Sequence, residues 1–150
     1  MKLAMKRMPI NQFKHTELTK AGQDQIVLTS PDIIYSASAF DISKKPIQIS
    51  LVIPENDTYW SISFFDEKTV NFFIMNDLEV KNSYKSRQIE LFLKTKNTKF
   101  EPPANPNARV INAPSEKGII LIRMIVKEPK NQAELEKLYD TQRKNRISIL

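Results

Sequence analysis

The chain has 150 residues, enough for one domain, and its 41% hydrophobic and 27% charged residues form an ordinary globular balance that argues against wholesale disorder. It holds no cysteine and a single histidine, which excludes disulfides, thiolate nucleophiles and zinc sites built from cysteine or histidine. Its net charge of +6 is spread unevenly, with bases concentrated at 1–20 and 81–99 and acids over 21–80, so the excess does not read as a nucleic-acid surface.

Residues 1–24 read as a flexible basic arm. Lys2, Lys6, Arg7, Lys14 and Lys20 face only Glu17 over the first twenty positions, and the apolar anchors are few (Ile10, Phe13, Leu18). Met1 to Pro9 carries bases without a following apolar run, so it is no signal peptide as it stands. Nor does any apolar run approach the ~20 residues of a membrane-spanning helix.

A single β-rich domain is expected over 25–150. Apolar runs cut by turn residues predict strands near 26–28, 33–40, 46–53, 58–65 and 70–75, with turns at Asp41–Pro46 and Pro54–Asp57. Asn82-Ser83 breaks the chain before a further strand near 88–93. Residues 95–107 contain Pro102, Pro103 and Pro106 and read as a loop, because each proline removes a ladder donor. A short strand near 109–111 follows. Gly118 to Val126 is apolar on both faces and should be a central strand buried between two layers.

After Pro129 the period changes. Asn131 stands three residues before Glu134 in a capping pattern, and Leu135, Leu138 and Tyr139 recur at helical spacing. Arg143, Lys144 and Arg146 then fall where a helix C-terminus favours cations. The pattern predicts a mainly β protein, a β-sandwich or partly closed barrel of about 7–9 strands with one C-terminal α-helix.

Chemically the residues exclude more than they nominate. Gly22 and Gly118 are the only glycines, too few for a phosphate-cradling loop or a dinucleotide fingerprint. His15, in the arm, is expected to be exposed and without function. Asp32, Asp41, Asp57, Asp66, Glu67, Asp77 and Glu79 lie at strand ends or turns, where carboxylates bond nearby backbone amides. No catalytic residue, metal ligand or cofactor is expected. Along 59–65, Trp60, Ile62 and Phe64 should face the core, which leaves Tyr59, Ser61 and Ser63 on the other face. The candidate ligand-binding set is Asp32, Tyr35, Tyr59 and Ser61, with Asp32, Tyr35 and Tyr59 placed near one edge of the sandwich.

Ser30-Pro31-Asp32-Ile33-Ile34-Tyr35-Ser36, Phe40-Asp41-Ile42-Ser43 with Pro46, Tyr59-Trp60-Ser61-Ile62-Ser63 and Asn71-Phe72-Phe73 with Asn76-Asp77 form an ordered set of motifs. Together with Ala113-Pro114-Ser115, Gly118–Arg123 and the closing helix, they resemble the bacterial envelope family known as domain-of-unknown-function family 1254. The likeness is to its short form, one such domain after an N-terminal membrane anchor, and spans roughly 11–142. It implies a mainly β domain, exported or anchored at the inner membrane facing the periplasm, with no established reaction. Lys44-Lys45 stands where the family often has glycine before the proline.

These readings combine into an expected function: a non-enzymatic, periplasm-facing envelope domain that binds an unknown protein or small ligand and no nucleic acid. Its basic arm would suit an anionic membrane surface. If no anchor precedes Met1, a cytoplasmic location is expected instead. The alternative is a cryptic carboxylate-dependent hydrolase or carbohydrate-acting enzyme drawing on Asp32, Asp41, Asp57 and Asp77.

Overall fold

A computed structural model describes residues 7–18, 32–55 and 58–150. Two sheets face each other across one core. The first, sheet A, contains β1 (Lys14–His15), β2 (Ile33–Asp41), β4 (Trp60–Asp66), β5 (Asn71–Asn76) and β8 (Lys117–Ile125), in the order β1-β2-β8-β4-β5 and antiparallel throughout. Sheet B is ordered β7-β6-β3-β9 from β3 (Ile47–Val52), β6 (Gln88–Thr95), β7 (Ala108–Ala113) and β9 (Arg146–Ile149). Its β6–β7 pair is parallel, which the long proline-bearing loop between them permits. The expected architecture divides here: the described residues form a sandwich and no closed barrel.

The strand pattern explains the core. Ile47, Ile49 and Leu51 alternate with half-buried Gln48, Ser50 and Val52, and Ile89, Leu91 and Leu93 join them from β6, where Phe92 is buried as well. Trp60, Ile62 and Phe64 meet them from sheet A, fully buried as the alternation requires. β8 runs between β2 and β4, with Ile120, Ile122 and Met124 inward. Its other face also buries Ile119 and Leu121, beside Met8, Tyr35, Ala37 and Ala39. That second small cluster is why this strand reads apolar on both faces.

Among the described residues, two further elements, both helices, complete the fold. Helix α1 (Asp77–Ser83) starts at Asn76, whose side chain accepts from the Glu79 amide, and it buries Val80. Helix α2 (Gln132–Arg143) is capped in the same way by Asn131 and buries Leu135, Leu138, Tyr139 and Gln142. The helix expected at the C-terminus is therefore present, but it ends at Arg143. Arg146 belongs to β9, which pairs with the free edge of β3. Neither α1 nor β9 was expected.

Residues 7–18, within the arm suggested by composition, lie against sheet A. Met8 and Phe13 are buried, the Asn11 amide donates to the Ala39 carbonyl at 2.8 Å, and β1 pairs with β2. The strand expected at 26–28 lies outside the described residues.

Candidate functional site

The four expected site residues fall on one end of sheet A. Pairing in register places Tyr35 and Ser61 on either side of Arg123, so the row Tyr35–Arg123–Ser61–Asn76 crosses four strands on the outer face. One step along, Ile33 and Ile125 pair, and the Ile125 amide donates to the Tyr59 carbonyl at 3.0 Å. The Asp32 carbonyl accepts from Val126 at 2.7 Å. Asp32 and Tyr59 are exposed at this end, while Tyr35 and Ser61 are buried. Tyr35 on β2 and Tyr59 just before β4 are not neighbours, because β8 runs between those strands, so the group sits at a strand end of the sheet.

Arg123 is the residue the sequence reading missed. It is half-buried in the middle of the sheet and has no hydrogen bond or ion pair among the described residues. Directly opposite, Ser61 is 1% exposed, and its hydroxyl also lacks a partner. The signal was available: Arg123 is the one charged residue inside the apolar run Gly118–Val126.

His15 differs from expectation. It is half-buried at the sheet edge, with Nδ1 2.7 Å from the Ser36 hydroxyl and its ring beside Phe13. Burial lowers its pKa below the ordinary value, and the Arg143 guanidinium lowers it further. A histidine–serine pair of this length suggests nucleophile activation. Ser36, however, is sealed at 1% exposure, and the charged partner of the imidazole is a cation, so the pair fastens β1 to β2.

Nor are the carboxylates gathered. Asp41 caps its own turn, accepting from the Ser43 amide and hydroxyl, and lies 3.7 Å from Lys117. Those Ser43 bonds, with Lys117 behind them, hold its pKa below the ordinary range. Asp66 accepts from the amides of Lys68 and Val70. Asp32 and Asp41 flank opposite ends of β2, roughly 30 Å apart at 3.3 Å per residue. Asp77 begins α1, and Asp57 lies outside the described residues. No group of three potential metal-ligating side chains occurs among the described residues.

Fold and site together define a two-sheet β-sandwich, and no reaction centre is assembled among the described residues. The family described as "Protein of unknown function (DUF1254)" matches residues 10–147, and the chain belongs to it. No curated protein matches the chain. Among solved structures it is similar to the VPA0106 protein from Vibrio parahaemolyticus, with a TM-score of 0.71 and 13% identity, over 97% of this chain and 31% of that one. A putative uncharacterized protein from Burkholderia cenocepacia matches with a TM-score of 0.52 and 14% identity, over 77% of this chain and 31% of its own. At such identities the likeness is one of fold. The chain spans about a third of the length of either neighbour.

Proposed function

We propose that this chain is a non-enzymatic binding domain of the bacterial envelope whose contact surface is the Arg123 end of sheet A. Tyr35 and Ser61 flank the guanidinium, and Tyr59 and Asp32 form the rim. The observation that carries this reading is the adjacency of two unpartnered polar groups. Leaving a buried hydroxyl unbonded costs about 1–3 kcal/mol, and a half-buried cation without an acceptor adds to that. One carboxylate or phosphate oxygen, brought by a small ligand or a protein partner, satisfies both at once. It would approach through Arg123, the member of the pair that is open to solvent.

Melting temperatures of wild type, Arg123→Gln and Ser61→Ala against a panel of carboxylate- and phosphate-bearing compounds test the site. A compound that raises the wild-type value and leaves Arg123→Gln unmoved supports it. A panel without effect on wild type, with Arg123→Gln more stable than wild type, counts against it.

The envelope location rests on family resemblance and on the bases Lys2, Lys6 and Arg7, which suit the surface of an anionic membrane. No helix among the described residues is long and apolar enough to cross a membrane. Reading the gene upstream of Met1 is the test. An in-frame apolar stretch of about 20 codons is required, and a stop codon directly upstream, with no alternative start, removes the proposal.

A further inference from the structure

A second concavity lies beside sheet B, and its inner end reaches Thr58 and Asp77, the sequence neighbours of Tyr59 and Asn76. Where α2 crosses the end of β3 and the start of β6, a chamber of about 580 Å³ opens between Val52, Glu55, Arg87, Gln88, Thr141 and Lys144. It shares Ile53 and Arg87 with a smaller chamber of about 190 Å³ that continues toward Thr58, Asp77, Tyr84 and Lys85. Arg87 stands on the divide, with one guanidinium nitrogen donating to the Pro54 carbonyl. That bond holds the planar group in place and leaves its other donors for the chambers.

The smaller chamber carries the independent observation. Thr58 lines it at 2% exposure, and the Thr58 hydroxyl has no hydrogen-bond partner. Charge points the same way. Lys85, Arg87 and Lys144 have no carboxylate partner among the described residues, whereas Glu134 and Asp140 are engaged by Lys137 and Arg143. Glu55 in the larger chamber and Asp77 in the smaller oppose them.

We infer that the double chamber binds a small hydroxylated anion, of the sugar-phosphate or uronate class. The phosphate or carboxylate lies between Arg87, Lys85 and the Thr58 hydroxyl. The hydroxyl-bearing body occupies the larger chamber, where Gln88, Glu55 and Thr141 offer hydrogen-bonding groups in place of an apolar wall. The larger chamber falls within the ~300–1,000 Å³ typical of small-molecule pockets. The control is Lys96→Gln, an exposed lysine that lines neither chamber and lies outside the Arg123 row.

Calorimetric titration with glucose 6-phosphate, glucuronate, inorganic phosphate and glucose tests the inference. One of the two hydroxylated anions should saturate the protein, more tightly than inorganic phosphate, and glucose should not bind. Which of the two saturates decides between phosphate and carboxylate. Arg87→Gln should weaken binding about tenfold or more, the loss expected of a charge-assisted hydrogen bond. Thr58→Val and the surface change Lys85→Gln should weaken it less, and Lys96→Gln should leave it unchanged. Absence of saturable binding by both anions overturns the inference. So does binding that survives both Arg87→Gln and Lys85→Gln, or that glucose reproduces.

Discussion

Ser61 and Arg123 occupy adjacent strands in register, yet they are 62 residues apart in sequence and only pairing brings them together. Alternation along 59–65 was enough to place Trp60 inward and Tyr59 outward. It could not show that β8 would lie between β2 and β4, because strand order is a property of the whole sheet. The candidate set was therefore legible by face, and the central cation was not. Tyr59 is 41% exposed, so Tyr59→Phe should change stability by no more than about 0.5 kcal/mol, as surface substitutions do. A larger loss on chemical denaturation would reveal a structural bond at its hydroxyl. His15 gives the second expectation at this scale. Its folded pKa is lowered, so the unfolded chain binds the proton more tightly and gains from acid. Stability should be full above about pH 6.5 and fall as pH drops through that value toward the lower folded pKa. Melting curves across this window should show the slope in wild type and a flatter profile in His15→Gln. Equal slopes would assign the effect elsewhere.

Elements were legible where burial and period agree. The Ile47-to-Val52 alternation and the two-faced run of β8 translated directly into a strand buried on one face and a strand buried on both. Helix α2 was announced by Asn131, Glu134 and the apolar spacing. The same cap precedes α1, where Asn76 accepts from the Glu79 amide as Asn131 does from Glu134. With only Val80 buried in seven residues, α1 has no apolar stripe for a periodic reading to find. β9 is hard to see in the sequence because Arg146, its one base, extends the basic end of α2, although Ile147-Ser148-Ile149 has strand alternation. Docking of α2 predicts that Leu138→Ala costs about 2–5 kcal/mol, against little for exposed Lys137→Ala. Equal melting temperatures for the two would show that the helix does not hold the sandwich. Gly118 gives a sharper case. A Cβ there would stand 2.1 Å from the Phe65 carbonyl oxygen and 2.5 Å from the Phe40 ring. The nearest obstacle is backbone beside the register shift at Phe64/Phe65, so it cannot swing aside as a side chain would. Gly118→Ala should cost at least the ~1–3 kcal/mol of overpacking, and a near-neutral result would mean that β4 can yield.

Across the whole molecule, the two open sides of the sandwich are closed by different means. On one side α2 spans the gap: the Gln142 amide donates to the carbonyls of Thr16 and Tyr35, and the Tyr139 hydroxyl accepts from the Leu18 amide. On the other, Arg109 of β7 lies over the Phe73 ring of β5 at 5.1 Å and pairs with Glu79 at 3.1 Å. The same guanidinium thus ties the edge of sheet B to the edge of sheet A. The chain then returns from α2 through Asn145, whose side chain accepts from the Val52 amide, into β9. Without β9, the β3 backbone from Ile47 to Ser50 would be an unpaired edge carrying three strongly apolar residues nearby, Ile47, Ile49 and Leu51. Such an edge is a template for pairing with another chain. Cutting the chain after Asn145 should therefore lower the melting temperature and shift the protein to larger species on size exclusion as concentration rises. Substituting Ile147→Asp in the intact chain, which opposes Ile49, should give a milder form of the same behaviour. If the shortened protein elutes as the full chain does with an unchanged melting temperature, β9 is peripheral and β3 is guarded by its neighbours alone.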